Sequence, residues 1–128
     1  MAEAPDFVKA LVGVRVLVVD SDPDARVLLE SVLAYCGAFV TTVASAAEAL
    51  DHVLGASVDV VIADVTLPDD GSYRLVRDAG TRVPFVALAA GSEDGPDRTI
   101  AAGFQGHLRK PVDPWELCRV VAELARKA

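Results

Sequence analysis

Val14-Arg15-Val16-Leu17-Val18-Val19-Asp20 runs straight into Ser21-Asp22-Pro23-Asp24, and this junction decides the fold class. The first seven residues are nearly all apolar and mostly β-branched, as expected of a central parallel strand covered on both faces. The run stops at a charge. Asp22 and Pro23 then supply an N-cap and a proline at the first helical position, and Ala25, Leu28, Leu29, Val32 and Leu33 recur on one helical face. Gly37 closes that helix.

The same change of period recurs to the end of the chain. Residues 39–43 read as a second, more polar strand, and Ser45 and Glu48 stand in capping-box spacing ahead of a helix over 46–54 that Gly55 ends. Residues 58–64 repeat the buried-strand pattern and again end in an acid, Asp64, with Leu67, Pro68 and Gly71 marking the loop that follows. A short helix over 72–79, a strand over 84–89, a weakly helical segment over 96–102 and a strand over 104–108 come next. Asp113, Pro114 and Glu116 open a last helix that runs to residue 127 through Leu117, Val120, Val121 and Leu124. Strands alternating with helices, joined by right-handed crossovers, predict an α/β protein: a three-layer α/β/α sandwich with a five-stranded parallel sheet in the middle. Residues 1–12 read as an N-terminal extension, either a linker or a turn packed on the sheet, with Phe7, Val8 and Leu11 suiting both. Residues 13–128 form one domain.

Composition bounds what such a domain does. A chain of 128 residues, 52% hydrophobic and 24% charged, buries about two thirds of its unfolded surface in one core without metal or disulfide staples. Its longest apolar runs fall far short of the roughly 20 residues a membrane-spanning helix needs. The first residues carry Glu3 and Asp6 in place of a basic start, so they resemble neither a secretory signal nor a transit peptide, and a cytoplasmic protein is expected. A net charge of -7 without a basic cluster repels polyphosphate backbones, which argues against direct nucleic-acid binding. Cys36 and Cys118 lie inside apolar helical patterns without metal-ligand spacing and read as buried free thiols.

Three strands end in charge: Asp20 after the first, Asp64 after the third, and Lys110 after the fifth. In open α/β sheets ligands bind outside the carboxyl ends of the strands, so parallel strands bring these three residues to one edge. Asp22 and Asp69 add to the field there. Carboxylates held close together repel one another unless a cation neutralises them, and oxygen-only ligands favour a hard ion such as Mg2+. The ion and the Lys110 ammonium would offset the charge of a phosphoryl group, and Asp64, central in the arrangement, is the candidate nucleophile.

The runs Val-Leu-Val-Val-Asp at 16–20, Asp-Val-Thr-Leu-Pro at 64–68 and Arg-Lys-Pro-Val-Asp-Pro at 109–114 resemble the receiver domains of two-component response regulators, the CheY-like family, over about residues 13–128. The first and last motifs look most like receivers of hybrid sensor kinases. The resemblance implies a flavodoxin-like sheet of order 2-1-3-4-5. It makes Asp64 the phosphoacceptor and Lys110 the phosphoryl contact, with the Lys110-Pro111 bond often cis. It gives Asp20, Asp64 and the Thr66 backbone carbonyl to Mg2+, and places Ala89 and His107 at the switch positions. It implies a non-enzymatic signalling protein that takes a phosphoryl group from a sensor histidine kinase or histidine phosphotransfer protein and then changes downstream protein partners, as a monomer or weak dimer.

Three departures qualify that implication. Family members usually carry two adjacent acids after strand one, and here the second is Ser21, a weaker neutral ligand; either Ser21 or Asp22 completes the metal site, Asp22 also serving as helix cap. Ala89 stands where a Ser or Thr hydroxyl normally meets the phosphoryl group, and Ser92 nearby reads as a loop serine. The segment between Asp64 and Pro84 is short, with one residue missing near Asp69 and Asp70, so helix three should be stunted. These departures keep a second reading open, a degenerate receiver acting as a phosphorylation-independent interaction module. The charged trio could also be a purely structural ion-pair cluster. A flavin-binding flavodoxin-like protein would share the fold, but acids stand where its flavin phosphate would sit. His52 reads as a surface or boundary histidine and Trp115 as a packing residue.

Overall fold

In the computed structural model, residues 9–80, 82–91 and 95–127 are described. Ser92, Phe7 and Val8 lie outside them. Among the described residues five strands alternate with five helices: β1 (Arg15–Val19), α1 (Pro23–Tyr35), β2 (Phe39–Val43), α2 (Ala46–Gly55), β3 (Val60–Asp64), α3 (Gly71–Ala79), β4 (Phe85–Ala89), α4 (Pro96–Ala102), β5 (Gly106–Arg109) and α5 (Pro114–Lys127). All strand pairs are parallel, in the order β2-β1-β3-β4-β5. The α/β/α architecture follows from the alternation of strand side chains. Val16 and Val18 of β1, Val60 and Ile62 of β3, Val86 and Leu88 of β4, and Leu108 of β5 pack with Leu29 and Leu33 of α1 and Leu117 and Val121 of α5. Their neighbours Leu17, Val19, Val61, Ala63, Phe85 and Ala87 pack on the opposite face with Ala49 and Val53 of α2 and Leu75, Val76 and Ala79 of α3. Apart from Arg15 and Asp64 at the strand ends, β1, β3 and β4 are apolar because both faces are covered. Each such buried Val or Leu contributes roughly 1.5–3 kcal/mol, enough together to carry a cluster of charge at the sheet's edge.

Local chemistry sets the element ends. The Asp22 side chain accepts the Asp24 N–H and caps α1, and Ser45 accepts the Glu48 N–H and caps α2. Gly37 turns the chain at φ 101°, and a side chain there would strike Val12. The start of the described chain is a packed turn: Leu11 is fully buried and its N–H donates to the Cys36 carbonyl at 2.9 Å. β1, β3 and β4 begin later than the apolar runs suggest, because Val14, Val58 and Pro84 precede the paired register. β5 is shifted two residues, to Gly106, since Phe104 turns into the core against Phe85 and Tyr73. The β3–α3 connection contains a 3-10 turn, Pro68–Asp70, in which Asp69 and Asp70 both adopt left-handed backbone (φ 58° and 54°). α3 keeps nine residues; α4, with seven, is the shortest helix described.

Candidate functional site

Register and alternation build the site. Val18 pairs with Ile62, and Leu88 with Leu108, so Asp20, Asp64 and Lys110 each lie two residues past an aligned core position and share its face. The Lys110 Nζ lies 3.2 Å from Asp64 Oδ2 and 3.4 Å from Asp20 Oδ2, joining residues 46 and 90 positions apart. Asp20 is 0% exposed, Asp64 4%, and the Lys110 side chain 30%, so the ammonium stands at the mouth and the carboxylates at the base.

Each carboxylate is held by its own turn. Asp64 Oδ1 accepts the Thr66 N–H at 2.8 Å and the Thr66 hydroxyl at 2.7 Å, leaving Oδ2 toward Lys110. Asp20 Oδ1 accepts the Asp22 N–H at 2.9 Å. Burial pushes the Asp20 carboxyl above its ordinary pKa, aided by the neighbouring Asp64 charge and only partly offset by the Asp22 N–H and Lys110. For Asp64 burial acts in the same direction, but the two Thr66 hydrogen bonds and Lys110 together outweigh it and hold the carboxyl below its ordinary value. Burial works against the Lys110 ammonium, yet the two carboxylates win and its pKa is raised. The resting cluster therefore favours an ionised Asp64 facing a charged lysine.

The structure brings Asp20, Asp64, Thr66 and Lys110 together. Ser21 is exposed, and the Asp22 side chain is engaged as the α1 cap, so neither is seen on the pair of carboxylates. Among the described residues no three His, Cys, Asp or Glu side chains converge in a metal-binding group. The donor set still fits a hard divalent ion of the Mg2+ type, which binds through one or two carboxylates and keeps several waters. The Lys110-Pro111 bond is cis. Ala89 is fully buried at the end of β4, and its carbonyl accepts the Lys110 N–H at 2.9 Å. His107 lies on the other face of β5, its Nδ1 2.9 Å from the Thr99 hydroxyl of α4. His52 is half-buried, and the ring of Trp115 lies 6.5 Å from that of Tyr35.

Two further residues, Arg26 and Ser72, enter the site through contacts that the sequence does not announce, and Thr66 adds its side chain. Arg26 donates to the Asp20 carbonyl at 2.7 Å, bringing a second cation to the site's rim. The Ser72 hydroxyl, fully buried, donates to the Asp64 carbonyl and ties α3 to β3. The Thr66 side chain holds the very carboxylate it follows; Asp-x-Thr is a recognisable side-chain-to-backbone turn and the one signal of the three visible locally. Beside Lys110 lies a groove of about 400 Å³ lined by Leu28, Leu29 and Val32 of α1, by Pro111 and Val112, and by Leu117 of α5.

Comparison with known proteins agrees with this geometry. The family model described as the response regulator receiver domain matches residues 16–122. An uncharacterised 14.6 kDa protein of Leptolyngbya boryana is 36% identical over 121 residues, covering 90% of this chain and 92% of its own. Other curated relatives, two-component response regulators of Arabidopsis thaliana and Oryza sativa and a transcriptional regulatory protein of Pseudomonas aeruginosa, are 32% to 37% identical, and the chain spans only 17% to 50% of their length. A response regulator structure from Chloroflexus aurantiacus superposes with a TM-score of 0.80 at 32% identity, covering 88% of this chain and 97% of that one. The receiver domain of Saccharomyces cerevisiae Ssk1, solved with the histidine phosphotransfer protein Ypd1, shares the fold at 20% identity and a TM-score of 0.78, covering 91% of each chain. With three charged strand ends meeting at one edge of a 2-1-3-4-5 sheet and a family match across most of its length, the chain belongs to the response regulator receiver family of two-component signalling.

Proposed function

We infer that the protein accepts a phosphoryl group on Asp64 from a phosphohistidine donor and thereby alters its choice of protein partner. The observation that carries this reading is the geometry of the Asp64 carboxylate, oriented by Thr66 through Oδ1 and facing Lys110 through Oδ2. Oδ2 attacks phosphorus as the phosphorus–nitrogen bond of the donor breaks; the imidazole leaves, and an acyl phosphate remains on Asp64. Lys110 then pairs with the phosphoryl oxygens, and Asp20 supplies negative charge that keeps the ammonium in place. Asp20, Asp64 and the Thr66 carbonyl would hold Mg2+, which offsets phosphoryl charge when bound. Asp64 is consumed once per transfer, so the protein is a signalling module rather than an enzyme with turnover. A donor must approach over the Lys110 mouth, where the apolar groove between α1 and the Pro111–Pro114 segment offers a helix-sized surface. A sensor kinase or a histidine phosphotransfer protein, the kind of partner Ssk1 has in its complex, fits that approach. No described helix is long and apolar enough to cross a membrane.

Incubation with acetyl phosphate and Mg2+, followed by intact mass measurement, tests the reading. One phosphoryl adduct is expected on the wild type and none on Asp64→Asn; an adduct that survives Asp64→Asn overturns it. Exposed Ser21, Asp22 engaged as a cap, and Ala89 without a hydroxyl favour a second reading, a receiver that binds a partner without phosphorylation. A partner held equally well by wild type and Asp64→Asn, with no adduct on either, selects it.

A further inference from the structure

We propose that Cys36 and Cys118 form a redox-modifiable dithiol that closes to an intramolecular disulfide, tying the end of α1 to α5. The chain has only two cysteines, and the fold brings these, 82 positions apart, to a sulfur–sulfur separation of 2.8 Å. Non-bonded carbon atoms pack at roughly 3.5–4.0 Å, and sulfur is larger, so the two thiols stand inside ordinary packing distance. A disulfide of about 2.05 Å needs little further approach. Cys36 caps the C-terminus of α1 and Cys118 sits one turn into α5, both on backbone fixed by the surrounding core of Leu33, Val121 and Ala122. The proposal is independent of chemistry at Asp64.

Both side chains are fully buried. Burial first, and then Cys36, pushes the Cys118 thiol well above its ordinary pKa. With both sulfurs closed off from solvent, an external disulfide reaches them only through local opening or through folding itself. The oxidant is a low-molecular-weight disulfide. One cysteine thiolate attacks it and releases one small thiolate, giving a mixed disulfide. The second cysteine thiolate attacks the protein sulfur of that intermediate and releases the other. Two protein S–H bonds become one S–S bond, the small disulfide is reduced to two thiols, and these take the two protons. Leu29 and Val32 on α1 and Leu117 on α5 line the groove beside Lys110, so the bond links the two helices that form its walls.

The test uses the whole chain and oxidised glutathione. Reduced protein is incubated with it at neutral pH, without urea and at urea below the unfolding midpoint, and is also refolded in its presence. Acid quenching, alkylation in denaturant and intact mass follow. The expected product is a monomer lacking two hydrogens, with no alkyl group and no retained glutathione, formed faster with low urea and fastest on refolding. Its urea midpoint should exceed that of the reduced protein by roughly 1–2 M, since the bond closes a long loop in the unfolded chain. Cys36→Ala and Cys118→Ala should each keep one alkylatable thiol and show no such shift. Two alkylated cysteines under every condition, retained glutathione adducts, disulfide-linked dimers as the sole oxidised species, or an unchanged midpoint for the oxidised monomer would each overturn the proposal.

Discussion

At the carboxyl edge of the sheet, the side chains that alternate toward α1 and α5 end in Asp20, Asp64 and Lys110, whereas those that alternate the other way include Ala89 on β4 and His107 followed by Arg109 on β5. The first face is dense with charge, and each charge has a partner: Thr66 on Asp64, Asp22 on Asp20, and both carboxylates on Lys110. The second face carries the Ala89 methyl group, a contact between His107 and Thr99, and the exposed Arg109 at the strand end. Strand pleating thus places the charged cluster and the His107–Thr99 contact on opposite faces of the sheet. The separation explains how Ala89 can stand at the end of β4 without disturbing any contact of the acid cluster.

The largest effect expected from perturbing this contrast is on the charged face. Lys110→Met removes the ammonium from two buried carboxylates and should cost about 2 kcal/mol in urea unfolding at neutral pH, below the full buried-pair value because the lysine is part-exposed. The loss should shrink in acid as the carboxylates take up protons. An unchanged midpoint would mean that the cluster is not held by this pairing.

A smaller effect, of opposite sign, is expected at Asp20. Its folded pKa lies above the unfolded one, so the folded state holds its proton more tightly. That contribution to stability is complete below the unfolded value and lost as pH rises through the folded value. Asp20→Asn should therefore raise the thermal midpoint at pH 7 by a few degrees, on the order of 1 kcal/mol, with the gain vanishing below about pH 3. Asp64 has the opposite sense: its depressed pKa stabilises above the unfolded value and the contribution fades as pH falls. An Asp20→Asn protein less stable than wild type at neutral pH would reverse the ranking of burial over pairing.

The smallest effect belongs to the other face. Thr99→Val removes the His107 contact and should cost about 1 kcal/mol or less, while the phosphoryl adduct at Asp64 forms to the same extent as in wild type. A changed yield would show that the two faces are coupled after all.

Much of this is legible locally. The β-branched runs, the Asp22-Pro23 and Asp113-Pro114 helix starts, and the Ser45/Glu48 cap each report through residues adjacent in sequence, which is why helix starts can be read to within a residue. Charge at three strand ends is visible too, because a long apolar run makes its terminating acid or base conspicuous. The start of β5 is not legible in this way, because Phe104 is as apolar as a strand residue but serves the aromatic cluster with Phe85 and Tyr73. Whether Asp22 caps the helix has no unambiguous local signal, since the residue type suits a ligand as well, and the structure shows it accepting the Asp24 N–H as the α1 cap.

Sequence alone determined the alternation of strands and helices, the layered class, and the identity of the charged residues at the strand ends, since backbone preference and hydrophobic period act over a few residues. Tertiary structure decided which of those charges share an ammonium, where Arg26 and Ser72 enter, on which face Ala89 and His107 fall, and that the two cysteines meet. Those facts depend on register between strands distant in the chain, and only the packed sheet fixes register.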